Sequence, residues 1–254
     1  MLEILPIPAF QDNYIWAICP AGDSCAVVDP GQAGPVLEFL DARQLHLSHI
    51  LLTHHHFDHA GGVNELLKEF PAQVFGPFDK RMPPATEHVG DGDAVQLLGL
   101  EFLVMEVPAH TNSHIAFYGH DLLFSGDTLF SAGCGKLFEG TPDDMQRALD
   151  RFAGLPDTTR VYCGHEYTQS NCRFALAVEP DNKTLIERAA QVDLLRKDGK
   201  VTLPSTIGLE NSINPFMRSR QPALIKAARL RDQGAGTPDQ VLSVIRQWKD
   251  SGDW

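Results

Sequence analysis

Apolar and polar positions follow two regimes along this chain. Up to about residue 166, short apolar runs end in turn residues: SCAVVDPG (24–31), LSHILLTH (47–54), LEFLVMEVPAH (100–110), DLLFSGD (121–127) and RVYCGH (160–165). Each is short and closed by Gly, Pro, Asp or His, so each reads as a buried strand delivering a loop. Helical spacing appears between them in GPVLEFLDAR (34–43), GGVNELLKEF (61–70) and TPDDMQRALDRF (141–152). The last has the clearest start signal: Thr141 as N-cap, Pro142 in the first turn, then two acids facing the positive end of the helix dipole. Beyond residue 166 strand signals stop. YTQSNCRFALAV (167–178), NKTLIERAAQVDLLRKDG (182–199), QPALIKAARLRDQG (221–234) and TPDQVLSVIRQWKD (237–250) all carry helical periodicity, and MPPATEHVGDGD (82–93) reads as a loop. The pattern predicts an α/β domain over 1–166 followed by a small helical domain over 167–254.

Composition narrows the class of partner. At 254 residues and 43% hydrophobic content the chain can bury a sizeable core. A formal net charge of −12 and the lack of any Lys/Arg run argue against nucleic acid or an anionic membrane. The N-terminal MLEILPIPAF has an early Glu and no basic region, so neither a signal peptide nor a transit peptide is expected, and no apolar run reaches bilayer length. Five cysteines without a C-x-x-C pair point away from a disulfide framework or a thiolate zinc site and toward a reducing, cytoplasmic setting. No long apolar surface stripe stands unexplained, and a monomer is expected.

What the five apolar runs deliver at their carboxyl ends is the informative part. They end in Asp29, in His54/His56/Asp58/His59, in His110, in Asp127 and in His165. Open α/β sheets hold ligands beyond the carboxyl ends of their strands, so these residues read as one site built from five loops. Alternate side chains of an extended segment share a side. His54 and His56 can therefore grip one ion while His55 faces away, and Asp58 and His59, at the start of a helix, can turn toward a second. The donors are imidazole and carboxylate without thiolate, which suits Zn²⁺ first, with Fe or Mn²⁺ as alternatives. Seven ligands are too many for one tetrahedral ion and fit two. His54, His56 and His110 are assigned to the first divalent ion, Asp58, His59 and His165 to the second, and Asp127 bridges.

THHHFDHAGG (53–62) resembles the signature of the metallo-β-lactamase superfamily, which implies an αββα sandwich, a mixed α/β (α+β) class, with the metals at one edge of its sheets. Within it, SGDTLFSAGCGKLFEGT (125–141), CGHEYT (163–168), NPFMR (214–218) and RQWKD (246–250) resemble the glyoxalase II, or hydroxyacylglutathione hydrolase, family over nearly the whole length. That resemblance implies hydrolysis of S-D-lactoylglutathione and related S-2-hydroxyacylglutathione thioesters to glutathione and D-lactate, the second step of methylglyoxal disposal. The agent is a hydroxide held by two metal ions. Asp58 and Asp127 are the catalytic candidates, both as ligands, with Asp58 also orienting the hydroxide. The departing thiolate, with a pKa near about 8.5, needs no general acid.

The family's substrate positions match Lys136, Tyr167, Arg246 and Lys249 here, and Phe138 stands where many relatives have Tyr. Arg246 and Lys249, three apart on one helix face, suit the carboxylates of an anionic glutathione thioester. Asp29 and His114 read as partners that orient the ligands, and Ser113 replaces the usual Gly before His114. Two alternatives stay open: a persulfide dioxygenase built on a single iron, and another hydrolase of the same fold.

Overall fold

The computed structural model describes residues 2–84 and 86–254; Met1, and Ala85 inside the 82–93 loop, lie outside them. The described residues form two compact units, one running to Glu106 and including Ser113–Gly126, the other comprising Val107–Asn112 and Asp127–Trp254.

The first unit opens with the strands β1 (Glu3–Ala9), β2 (Asn13–Cys19) and β3 (Ser24–Val28), which pair antiparallel in that order. Helix α1 (Ala33–Arg43) then leads to β4 (His46–Leu51), the short α2 (Phe57–Ala60), α3 (Val63–Glu69), β5 (Gln73–Gly76) and β6 (Thr86–His88). From β3 to β6 the neighbours are parallel. Parallel strands are covered on both faces, which is why SCAVV and HIL read as continuous apolar runs. Val27, Ile50 and Val74 pack with Val36 and Leu40 of α1 and Val63 and Leu66 of α3 in one buried cluster. β1 is an edge strand, and edges tolerate the missing donors of Pro6 and Pro8. A second sheet in this unit is antiparallel, built from β7 (Ala94–Leu97), β8 (Leu100–Glu106), β9 (Ile115–Gly119) and β10 (Leu122–Gly126) in the order β10-β9-β8-β7.

The second unit begins with the small hairpin β11 (Leu129–Phe130) and β12 (Gly133–Cys134), followed by α4 (Pro142–Ala153). α4 starts as its sequence predicts: the Thr141 side chain accepts from the Asp144 N–H, and Asp144 accepts back from the Thr141 N–H at 2.9 Å. Next come β13 (Arg160–Cys163), α5 (Thr168–Val178), α6 (Lys183–Lys197), β14 (Ser205–Thr206), α7 (Ile207–Ile213), α8 (Pro222–Arg229) and α9 (Pro238–Ser251). α9 packs on α4 and α8, and α5 on α6. A buried cluster of Ala132, Cys172, Ala175, Leu185, Val192 and Ile213 ties the β11–β12 hairpin to α5, α6 and α7.

The five predicted strands are joined by others that the apolar runs did not announce, β1, β2, β5, β7, β9 and the β11–β12 hairpin among them, and three further elements differ from expectation. β14 is a strand beyond residue 166; it spans two residues, too few for a period, and exists because it pairs with β13. The 82–93 stretch contains β6, formed by pairing with β5. α7 carries too few apolar residues to announce itself. All five cysteines are buried free thiols, and among the described residues no helix is long and apolar enough to cross a membrane.

Candidate metal centre

Each unit carries its own cluster of imidazole and carboxylate groups. In the first, the chain leaves β4 and enters α2 through the histidine run 54–56. His54 lies with its ring 4.7 Å from His56 and 4.2 Å from His59, whereas its centroid is 6.4 Å from His55. His55 lies against His56, with centroids 4.8 Å apart, and has its Nδ1 3.5 Å from Asp79 Oδ2. Asp58 Oδ2 stands 3.5 Å from His59 Nε2 and accepts a 3.0 Å hydrogen bond from Asn13 Nδ2.

Asp29 organises this half. It follows β3 in the left-handed region at φ 54°, which Asp tolerates better than most residues. Its Oδ1 accepts from the Thr53 N–H at 2.8 Å, and its Oδ2 accepts from Thr53 Oγ1 at 2.8 Å and lies 3.0 Å from His59 Nδ1. Thr53 Oγ1 in turn is 3.0 Å from His54 Nδ1. With Nδ1 engaged on both rings, Nε2 is the atom presented to a ligand. Donor atoms of Asp29, His54 and His59 lie within 4.8 Å of one another, but the 3.0 Å contact on His59 is a hydrogen-bond distance and marks Asp29 as the orienting partner. Gly31 permits the close packing beneath: a Cβ there would stand 1.9 Å from the Asp58 carbonyl oxygen. His114, fully buried, stacks on His54 with centroids 4.7 Å apart.

In the second unit one carboxylate oxygen serves two imidazoles. Asp127 Oδ2 is 3.5 Å from His110 Nε2 and 3.3 Å from His165 Nε2. His110 Nδ1 donates to the Lys136 carbonyl at 2.9 Å, which makes Nε2 the acceptor nitrogen of a neutral ring. A Cβ on Gly135 would meet the Asp127 carbonyl oxygen at 2.0 Å, so this turn admits only glycine. Two ligand atoms about 2.0–2.1 Å from one tetrahedral ion sit about 3.3–3.5 Å apart. The Asp127 spacings match that, and the donors are of the type that holds divalent metals.

The remaining predicted residues also lie in this unit. Phe138 is 63% exposed and meets the edge of His110 at 5.1 Å; Tyr167 stacks on His165 at 4.7 Å; the Lys136 side chain is exposed. Arg246, read from the sequence as suited to the carboxylates of the thioester, already has partners within the fold. It is buried, donates to the Cys134 carbonyl at 3.0 Å and to Asp250 at 2.9 Å, and so pins the β11–β12 hairpin. Lys249 donates to Asn171 Oδ1, and burial, then the Arg246 charge, push its amine down to about 7.

Sequence reading missed the groups that hold the 128–136 loop. Glu210, fully buried on α7, accepts from Ser131 Oγ at 2.9 Å, the Ala132 N–H at 2.7 Å, Asn214 Nδ2 at 3.0 Å, and Ser205 Oγ. Asn214 Nδ2 reaches the Phe130 and Gly133 carbonyls, and Asn171 Nδ2 that of Ser131. One signal was present: Glu210 lies three residues from both Ile207 and Ile213, on the apolar face of its helix.

Comparison with known proteins identifies the family. Residues 10–165 match the family model described as Metallo-beta-lactamase superfamily, and residues 166–252 match Hydroxyacylglutathione hydrolase C-terminus. A hydroxyacylglutathione hydrolase from Ectopseudomonas mendocina is 51% identical, covering 98% of this chain and 99% of the relative. Among solved structures, ETHE1 from Myxococcus xanthus superposes with a TM-score of 0.67 at 23% identity, covering 99% of both chains. TTHA1623, solved in a di-iron-bound form, gives 0.60 at 25% identity over 84% of this chain and 99% of its own. The chain is thus a metal-dependent hydrolase with the metallo-β-lactamase fold and a C-terminal helical region. Within that superfamily it belongs to the hydroxyacylglutathione hydrolase family.

Proposed function

We propose that the protein hydrolyses S-D-lactoylglutathione and related 2-hydroxyacyl thioesters of glutathione, with two divalent cations per chain held by His54, His56 and His110, by Asp58, His59 and His165, and by Asp127 between them. The observation that carries this reading is the single Asp127 oxygen set 3.5 and 3.3 Å from two imidazole nitrogens, in a chain of this family. Zn²⁺ is the proposed metal; imidazole and carboxylate donors also suit iron, and TTHA1623, similar in fold, was solved in a di-iron-bound form. When bound, such a pair supplies a water activated near neutral pH and a Lewis acid for the thioester carbonyl. The chain's own residues do the rest. Asp29 and the Lys136 carbonyl fix the tautomers, so His59 and His110 present Nε2. The thiolate leaves without a protein acid, because its pKa is only about 8.5.

For the glutathione part we propose Lys136, Phe138 and Tyr167 as the exposed contacts and Lys249 as the buried cation, with Arg246 acting partly through the loop it holds. The reading takes the protein as a cytosolic monomer acting on a small molecule. Purified protein reconstituted with Zn²⁺ is expected to hydrolyse S-D-lactoylglutathione far faster than the lactoyl thioester of coenzyme A at low substrate concentration. Absence of turnover on the glutathione thioester would refute the proposal.

A pH dependence follows from Lys249. Its amine is pushed down to about 7, so its positive charge is lost as pH rises through that value. KM for the anionic thioester is therefore expected to rise above neutral pH. Lys249→Arg, charged throughout the range, should flatten that rise; an unchanged pH profile of KM would rule Lys249 out as the responsive cation. The same depression means the unfolded chain binds the extra proton more readily above pH 7, so this group's contribution to stability increases with pH up to its unfolded value.

A further inference from the structure

Asp79 lies on the loop between β5 and β6, away from every predicted ligand in sequence, with a side chain only 7% exposed. Its Oδ1 accepts from the Arg81 N–H at 2.9 Å and Nε at 2.8 Å. Its Oδ2 accepts from Arg81 Nη2 at 2.6 Å and from Ser113 Oγ at 2.7 Å, and stands 3.5 Å from His55 Nδ1. One carboxylate therefore reaches two other segments. His55 sits between His54 and His56 in the chain, and its ring stands 6.4 Å from that of His54 and 4.8 Å from that of His56, so anchoring it constrains the placement of both neighbours. Ser113 directly precedes His114, whose ring stacks on His54 at 4.7 Å. The two segments are also joined by the Ile115 N–H, which donates to the Thr53 carbonyl at 2.9 Å.

We infer that Asp79 is a positioning residue for the metal centre, clamping the 53–56 segment through His55 and the 113–115 segment through Ser113 so that His54 and His56 are preorganised for the ion. The Arg81 guanidinium holds the Asp79 carboxyl well below the usual carboxylate range, so the clamp stays charged at working pH. It acts by reducing the ordering that metal binding must otherwise impose. Groups that orient metal ligands typically contribute about 10–100-fold in affinity, and an effect of that size is expected here.

The inference rests on the reading that the His54 loop holds a metal, and the test separates the two. Zinc release from the loaded full-length protein to a chromophoric chelator is measured for wild type, Asp79→Asn, Ser113→Ala and Ser113→Thr, with Co²⁺ absorption spectra of each. Asp79→Asn and Ser113→Ala are expected to release zinc about 10–100-fold faster and to broaden the Co²⁺ bands, while Ser113→Thr, which keeps the hydroxyl, stays near wild type. Val192→Ala, in the buried cluster of the other unit, controls for general destabilisation. Wild-type release rates in both Asp79→Asn and Ser113→Ala overturn the clamp and leave the metal reading standing. Equal acceleration in Val192→Ala at a matched melting temperature also overturns it. If Asp79→Asn does not fold, Ser113→Ala decides alone. A wild-type protein that takes up no zinc contradicts both readings.

Discussion

Asp127→Ala is expected to abolish measurable thioester hydrolysis, lowering kcat/KM by about 10³-fold or more, and to drop bound metal below two ions per chain. The reason is local. Asp127 Oδ2 stands 3.5 Å from His110 Nε2 and 3.3 Å from His165 Nε2. Its removal leaves each imidazole without the charged co-ligand that would neutralise a divalent ion. Asp127→Asn should behave similarly, since a neutral amide oxygen is a poor bridge between two cations. The melting temperature of the metal-free protein should fall little, because Asp127 is held beside imidazoles and not within the apolar core. Elemental analysis and steady-state kinetics on the same samples check this; two ions per chain with near-normal turnover would show that Asp127 is not the bridge.

Glu210→Ala is expected to have the largest effect on stability, about 3–5 kcal/mol, or a fall in melting temperature of about 8–15 °C for a chain of this size. The carboxylate accepts from Ser131, Ala132, Ser205 and Asn214, and truncation strands these buried donors. Ala132 has φ 55°, a conformation that costs a non-glycine residue energy and persists here with its N–H bound to Glu210. Burial pushes the Glu210 carboxyl up, and its hydrogen bonds oppose that, so the neutral Glu210→Gln should cost clearly less than the alanine. Calorimetric melts of the two variants test this. Equal and small shifts would mean that the 128–136 loop is held by Asn171, Asn214 and Arg246 without Glu210.

The reading of the chain succeeded where a local pattern and a global requirement coincide. Strands β3, β4, β8, β10 and β13 were legible as apolar runs, and their carboxyl ends gave the imidazole and carboxylate positions without reference to structure. Helices α4 and α9 were legible because Thr-Pro-Asp writes the start signal into three residues. What escaped notice depends on partners distant in sequence. β1 carries two prolines and is a strand only because it sits at an edge; β14 is a strand only because β13 lies beside it. Glu210 and Asp79 look like ordinary solvated acids until Ser131, 79 residues away, and Ser113, 34 residues away, are folded against them. Arg246 was read as a cation suited to the substrate's carboxylates, and its guanidinium is bonded to the Cys134 carbonyl and Asp250; spacing along a helix identifies a face but not what covers it.

The most direct test is anomalous diffraction at the metal edge from crystals of the reconstituted protein. Two peaks about 3.5–4 Å apart, with an Asp127 oxygen coordinating both and three histidines or a histidine–aspartate set on each, are the predicted result. A single peak, or two with Asp127 turned from both, contradicts the account.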